Sequence, residues 1–98
     1  MAASATPLSA LHQALRQARA GDWHAAHEIV QQHEGDSHAD WIHAVLHRIE
    51  GDLGNARYWY RRCGRTPSET ESPQAELARI ADVLDDQQQT KPRRKGST

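Results

Sequence analysis

The stretch HRIEGDLGNARYWYRR, residues 47–62, decides how this sequence folds. Gly51 and Asp52 stand between two segments whose apolar residues recur at helical intervals. Glycine accepts the left-handed backbone conformation that closes a helix, and the aspartate after it can accept a backbone N–H bond at the start of the next helix. The stretch therefore predicts two helices joined by a tight turn.

Gly-Asp pairs divide the rest of the chain in the same way. They recur at residues 21–22 and 35–36, each after a segment with helical spacing of apolar residues. Thr6 before a proline suits the start of the first helix, and Ser37 with Asp40 three residues later is a variant of the capping box. No segment alternates as a strand would, so the predicted fold is all-α. The predicted helices cover about residues 7–20, 22–33, 37–50, 52–63 and 72–86.

The fifth predicted helix and the residues after it differ in what they can bury. Leu77, Ile80 and Leu84 give the helix a continuous apolar face. From residue 87 onward, the sequence QQQTKPRRKGST has nothing to bury. We therefore predict one domain over residues 6–86 and a disordered basic tail over residues 87–98.

An internal repeat with a period of 30 residues relates the two halves of the predicted domain. Aligning the chain with itself at this offset places Ala14 on Ala44 and Ala26 on Ala56. Small residues recur where two antiparallel helices would cross closely. A repeat with a turn in its middle is typical of helical-hairpin solenoids. We predict two antiparallel helical hairpins, with the fifth helix as a cap that completes their core.

This pattern resembles the tetratricopeptide repeat: Gly-Asp, an alanine four residues after the Asp, an aromatic four later and a small residue three after that. The resemblance covers about residues 8–67 and implies a helical repeat fold used for protein interaction. The period of 30 is shorter than the family's ~34, and His43 and His47 stand where the family has leucine and tyrosine. The matching residues are Gly51, Asp52, Ala56, Tyr60 and Cys63, and, in part, Gly21, Asp22, Ala26 and Val30.

The second repeat is also similar to a group of small uncharacterised proteins. They carry the segment H-x-x-x-H-R-x-E-G-D-x-x-N-A-x-Y-W-Y-R-R, which residues 43–62 match. This resemblance implies no particular activity. It directs attention to the histidines and the aromatic run of that segment.

Composition narrows the classes of function. A net charge of -1 argues against a domain-wide electrostatic grip on nucleic acid or acidic lipid. No apolar run of about 18 residues could span a membrane, and the amino terminus does not have the segments of a signal sequence. The single cysteine, Cys63, allows no internal disulfide and no Cys-based zinc site. The sequence therefore predicts a cytoplasmic protein.

The sequence carries no signal for an enzyme. It has no G-x-S-x-G segment and no Gly-rich phosphate loop. Cys63 stands at a repeat position that favours a small buried residue, which does not suit a nucleophile. We predict a non-enzymatic protein without a cofactor.

His43 and His47 have the clearest potential for a ligand site. They are four residues apart on one helix face, and Glu50 follows three residues later. Two imidazoles and a carboxylate so placed could hold zinc or a small ligand, with Trp59 and Arg62 beside them. The alternative is that the two histidines only bond polar side chains of neighbouring helices. Because no acid occupies the H-E-x-x-H position, no metal is assigned from the sequence.

The aromatic run at residues 58–60 raises the choice between binding and packing. Adjacent helical residues are about 100° apart, so the three rings cannot face one way. Tyr60 is predicted to be core, and Trp59 to pack against helix three or five. Tyr58 and Arg62 then form an exposed pair.

Helix four also carries the densest basic region of the predicted domain. Arg57, Arg61 and Arg62, with Arg48 and Arg65 nearby, present guanidinium groups that suit phosphate or carboxylate partners. The competing interpretation is a solvated face neutralised by nearby glutamates.

We expect a protein-interaction module. In the tetratricopeptide class the first helix of each pair lines a concave groove, which here would have an apolar floor and basic rims suited to an amphipathic or acidic peptide. A homodimer would cover this groove equally well, and helix five lying in it would leave no site. The alternative function is a small-ligand or metal site on His43, His47 and Glu50. The predicted groove residues are Leu11, Leu15, Arg19, His38, Trp41 and Arg48.

Overall fold

All regular structure in the described part of the chain is helical, which confirms the all-α prediction. A computed structural model describes residues 7–68 and 70–88, except for the side chains of residues 87 and 88. Thr6 and the predicted tail beyond residue 88 lie outside these residues. The helices in this part are α1 (Leu8–Arg19), α2 (Trp23–Gln31), α3 (Ser37–Glu50), α4 (Leu53–Arg62) and α5 (Pro73–Gln88).

The turn predicted at Gly51 is built twice with the same geometry. Gly21 and Gly51 both have φ 89°, a conformation that a side chain would strain. Asp22 and Asp52 both have φ -91° and ψ 79°. Each aspartate accepts a bond from the backbone N–H three residues later and so caps the next helix. The repeat seen in the sequence thus recurs in the backbone geometry of two turns.

The start of α3 differs from the prediction. Asp36, and not Ser37, is the capping residue: its carboxylate accepts two backbone N–H bonds of the first turn, both at 2.9 Å. Ser37 is the first helical residue, so its hydroxyl is one position too late to cap. Asp40 reaches back to the backbone N–H of Gly35 at 3.2 Å. Burial raises the pKa of Asp40, and the bond to Gly35 opposes that shift.

The first and last helices also begin and end at slightly different residues from those predicted. α1 begins at Leu8, after Pro7, whose side chain makes no capping bond. α5 continues to Gln88, so the first two residues of the predicted tail are helical. No helix within residues 7–68 and 70–88 has both the length and the apolar character needed to cross a membrane.

α3 lies at the centre of the fold. It packs against α1, α2, α4 and α5, and every residue from Ala39 to His47 is buried. A helix that is buried on all sides needs apolar residues all round, and this segment has them at most positions. The alanines that the internal repeat aligns are at most 2% exposed, so they lie where helices meet; they are Ala14, Ala26, Ala44 and Ala56.

Glu76 of α5 ties that helix to the rest of the fold. Its side chain is 2% exposed, and Oε1 accepts bonds from Tyr60 Oη and Arg48 Nη1, both at 2.6 Å. Oε2 accepts a bond from Trp41 Nε1 at 2.8 Å. Burial and the bond to Glu76 raise the pKa of Tyr60, which therefore remains a donor. One buried carboxylate thus joins α5 to both α3 and α4.

Candidate metal centre

The face of α3 that packs on α2 carries two histidines. His43 and His47 are about one helical turn apart, and they are 2% and 8% exposed. α2 contributes His27, which is partly buried. Helix packing thus gathers three imidazole rings from two helices, and we call them the three-histidine cluster.

Nitrogen atoms of the cluster converge on one region. Nε2 of His27 and Nε2 of His43 are 3.0 Å apart, and one nitrogen of each ring lies within 4.8 Å of the other two. The rings of His43 and His47 are stacked with centroids 5.1 Å apart, whereas the His27 ring stands at 85° to that of His43. Imidazole nitrogens at this spacing form a candidate metal centre, because imidazole is a good ligand for zinc, copper, nickel and iron.

Two tryptophans hold the cluster from either side. Trp23 stacks on His27 with centroids 4.5 Å apart, and Trp59 stacks on His43 at 3.9 Å. The indole N–H of Trp23 donates to the carbonyl of Leu46 at 2.7 Å, which fixes this ring against α3. Packing therefore sets the orientation of both imidazoles.

Glu50 sets the orientation of the third imidazole. Its Oε1 lies 3.2 Å from Nδ1 of His47. A carboxylate accepts in this bond, so Nδ1 of His47 is the donor, and Nε2 is the nitrogen that this ring can offer to a ligand. A carboxylate behind an imidazole is the usual partner of a metal-ligating histidine.

The surroundings of two rings of the cluster, His27 and His43, keep those rings uncharged. Burial lowers the pKa of His43 to about 3, and repulsion from His27 and His47 adds to the shift. Burial also lowers the pKa of His27. Nδ1 of His43 is buried and has no hydrogen-bond partner among the described residues, so stacking rather than hydrogen bonding at this atom holds the ring. The Nε2 atoms of His27 and His43 share one proton in a 3.0 Å hydrogen bond, so a metal ion could take the lone pair of one ring directly and that of the other once its proton moves to Nδ1.

The structure brings the sequence-predicted ligand residues together only in part. His43 and His47 belong to the cluster, and Trp59 stacks on His43. Glu50 lies behind His47 and bonds its outer nitrogen. Arg62 lies over the Trp59 ring, 5.0 Å from its centroid, and its guanidinium is also 3.8 Å from a buried carboxylate of α3. Arg62 is therefore engaged at the edge of the cluster.

Two residues of the site were not predicted from the sequence, His27 and Trp23. They are four residues apart on α2 and flank Ala26 and Val30, which face the core. That spacing is a detectable signal for a shared face. Their meeting with His43 depends on the register between α2 and α3, which one sequence does not give.

The predicted groove is filled by α5, and this corrects the expectation that its floor is exposed. Leu11, Leu15 and Trp41 are at most 2% exposed, because the apolar face of α5 packs on α1 and α3. Burying that face on these two helices removes more apolar surface from water than leaving it open. Of the predicted rim residues, Arg19 is exposed, His38 is partly buried and Arg48 is bonded to Glu76.

The exposed side of α4 combines apolar and basic groups, and we call Leu53, Arg57 and Arg61 the α4 surface. These residues follow one another at four-residue intervals, and all three are exposed. Neither arginine has an ion pair within residues 7–68 and 70–88. Leu53, Tyr58 and Ile49, the last at the end of α3, are the large apolar side chains exposed in this part of the chain.

A cavity adjoins the α4 surface. It has a volume of about 510 Å³ and lies between α4 and the segment 66–68. Its apolar walls are formed by Ala56, Tyr60 and Pro67, and Arg57 also lines it. The cavity can accept an apolar side chain next to a guanidinium group.

No protein-family model, curated protein or solved structure matches this chain. The three-histidine cluster has the most specific chemistry in the described part, because three ligand nitrogens, two stacking walls and an orienting carboxylate meet there.

Proposed function

We propose that this protein binds a divalent transition-metal ion, zinc above all, through His27, His43 and His47. The convergence of three imidazole nitrogens within 4.8 Å carries the proposal. Tetrahedral zinc with Zn–N bonds of about 2.0–2.1 Å holds its ligand nitrogens about 3.3 Å apart. Nε2 of His27 and Nε2 of His43 are already 3.0 Å apart. A small separation of these rings makes room for the ion.

The surroundings of the cluster favour a metal cation over an anion. Burial lowers the pKa of His27 and of His43, and Glu50, the group that orients the third ring, is a carboxylate. Nitrogen ligands favour zinc over magnesium or calcium, which prefer oxygen. Zinc also fits the donor set because the cluster contains no thiolate, the ligand that would favour Cu(I).

Metal binding would also strengthen the fold. The cluster joins α2 to α3, and these helices pack on α1 and α4 respectively. An ion held by ligands from both helices binds the native state and not the unfolded chain. Its binding free energy therefore adds to the free energy of unfolding.

Zinc titration of the metal-stripped protein, prepared without a histidine tag, tests the proposal. Calorimetry should show one site, and zinc at 100 times Kd should stabilise the fold by about 2.7 kcal/mol. That corresponds to a rise in Tm of roughly 10–20 °C for a chain of this size. His27→Gln should weaken zinc binding by more than the roughly 10–100-fold lost when a residue that only orients a ligand is removed.

His33→Gln is the matched control, because His33 is a partly buried histidine outside the cluster. This variant should bind zinc as the wild type does. Circular dichroism should show that both variants keep their helices. Equal zinc binding by His27→Gln and the wild type, or no rise in Tm with zinc, would rule out the proposed site.

A second candidate function is the binding of an acidic amphipathic segment at the α4 surface. The guanidinium groups of Arg57 and Arg61, which have no ion pair among the described residues, offer charge complementarity, and the cavity beside Leu53 offers a place for an apolar side chain. We propose that the two α-helical pairs form a TPR-like arrangement, as the buried alanines of the repeat suggest. Such folds commonly serve as interaction modules. The surface used here would be α4 and not the groove that α5 fills.

A designed peptide of leucine and glutamate at helical spacing, carrying a fluorescent label, tests this second function. Fluorescence anisotropy should show saturable binding that weakens as salt rises. Arg57→Glu should reduce the affinity at least tenfold, about 1.4 kcal/mol, by placing like charges together. Arg19→Glu, the same exchange at an exposed arginine of α1, should leave it unchanged. Weakening by Arg19→Glu alone would contradict the α4 surface and favour a site on α1.

A further inference from the structure

We infer that the metal ion held by the three-histidine cluster keeps one coordination position open and binds a small monodentate anion there. The inference rests on the proposed metal site and names the ligand class that this site would take. Zinc held by four protein ligands is a closed structural centre, whereas zinc held by three takes water or an outside ligand in the fourth position.

No fourth ligand joins the cluster within residues 7–68 and 70–88. The candidate metal-binding groups in this part are His27, His43 and His47 together, and His47 with Glu50 and Asp52. Only His47 belongs to both groups, so neither acid has an oxygen within 4.8 Å of all three cluster nitrogens. The described residues therefore supply three ligands and no more.

Both nearby acids are committed to other partners. Oε1 of Glu50 lies 3.2 Å from Nδ1 of His47 and bonds it. Nδ1 is the ring nitrogen that would point away from a metal bound to Nε2. Asp52 caps α4: its carboxylate accepts from Nδ2 of Asn55 at 2.7 Å and from the backbone N–H of Asn55 at 3.3 Å. Moving either acid toward the ion would break a bond that orients the site or starts a helix.

The rest of the sequence adds one candidate ligand of these types, Glu69. The residue before it, Ser68, lines the cavity beside Leu53 and Arg57. On α4, Arg57 is two positions from Trp59, which stacks on the cluster, so the two side chains point to opposite sides of the helix. Ser68 thus lies near Arg57, whose side chain points away from that of Trp59.

His27 is the most accessible ring of the cluster. His43 and His47 are 2% and 8% exposed, whereas His27 is only partly buried. Trp23 covers one face of the His27 ring, with centroids 4.5 Å apart, and so limits access to this ring from that side. A cation that retains positive charge after binding three neutral imidazoles attracts an anion. We expect that anion to be small and monodentate, because the cluster would leave it a single coordination position.

Cobalt(II) and azide test the inference, because cobalt reports its coordination through visible absorption. Titration with cobalt should produce bands that are absent in His27→Gln, and azide should then shift them in a saturable way. Bands without any response to azide would overturn the open position while leaving the metal site standing. The absence of cobalt bands would instead overturn the metal site itself.

A variant of Asp52 tests whether this nearby acid is the fourth ligand. Asp52→Asn should give the same cobalt spectrum and the same response to azide as the wild type, because Asp52 is not a ligand. A changed spectrum before azide is added would mean that this carboxylate completes the coordination shell. That result would overturn the inference even if azide bound in its place.

Discussion

Glu76→Ala should lower the free energy of unfolding by about 3–5 kcal/mol, as removal of one partner from a buried ion pair does. Arg48 would keep its charge at the boundary of the core without the carboxylate 2.6 Å away. Tyr60 and Trp41 would each lose the acceptor of a buried donor. Domains of this size have a total stability of about 5–15 kcal/mol, so the variant should be close to unfolding.

Urea unfolding followed by circular dichroism measures this loss. Asp82→Ala is the control on the same helix, because Asp82 is exposed, and it should change stability by no more than about 0.5 kcal/mol. Glu76→Gln should fall between the two, since the amide keeps one acceptor oxygen but not the charge. A loss below about 1 kcal/mol for Glu76→Ala would show that this carboxylate does not hold α5 in place.

Trp41→Ala should also cost about 3–5 kcal/mol, the usual range for removing a large aromatic side chain from a core. The Trp41 ring is 0% exposed. The guanidinium of Arg65 lies 3.5 Å from the ring centroid and that of Arg79 lies 5.1 Å from it, so two cation–π contacts would be lost with the ring. A hydrogen bond to Glu76 would be lost as well.

The same unfolding assay tests Trp41→Ala against Tyr58→Ala, which removes an aromatic ring that is 43% exposed. Tyr58→Ala should lower the free energy of unfolding far less than Trp41→Ala does. Combining Trp41→Ala with Glu76→Ala should cost less than the sum of the single losses, because both remove one shared hydrogen bond. A Trp41→Ala protein with an unchanged urea midpoint would instead support the exposed position expected from the sequence.

Local features of the fold could be predicted from the sequence because their causes are local. Gly51 and Asp52 specify a turn by backbone preference and side-chain reach, and the structure builds that turn at both repeats. The start of α3 shows the limit of such reasoning. Asp36 and Ser37 are both good capping residues, and their order in the chain does not say which one precedes the first helical turn.

The docking of α5 could not be predicted in the same way. Its apolar face and its role as a cap were predicted, but whether it lies in the groove was left open. In the structure, Glu76 bonds residues of α3 and α4 that are distant in sequence, and such partners are not evident from one sequence. In the candidate site, His43 and His47 were evident from spacing, whereas His27 joined them only through helix register.

The position of α5 in chain order affects how the protein is made. Synthesis proceeds at roughly 5–20 residues per second, and domains fold as units during it. Leu11, Leu15 and Trp41 leave the ribosome before the helix that shields them. During that interval these apolar side chains are exposed on the nascent chain. Exposed apolar surface of this kind is recognised by chaperones and drives aggregation when chaperones are scarce.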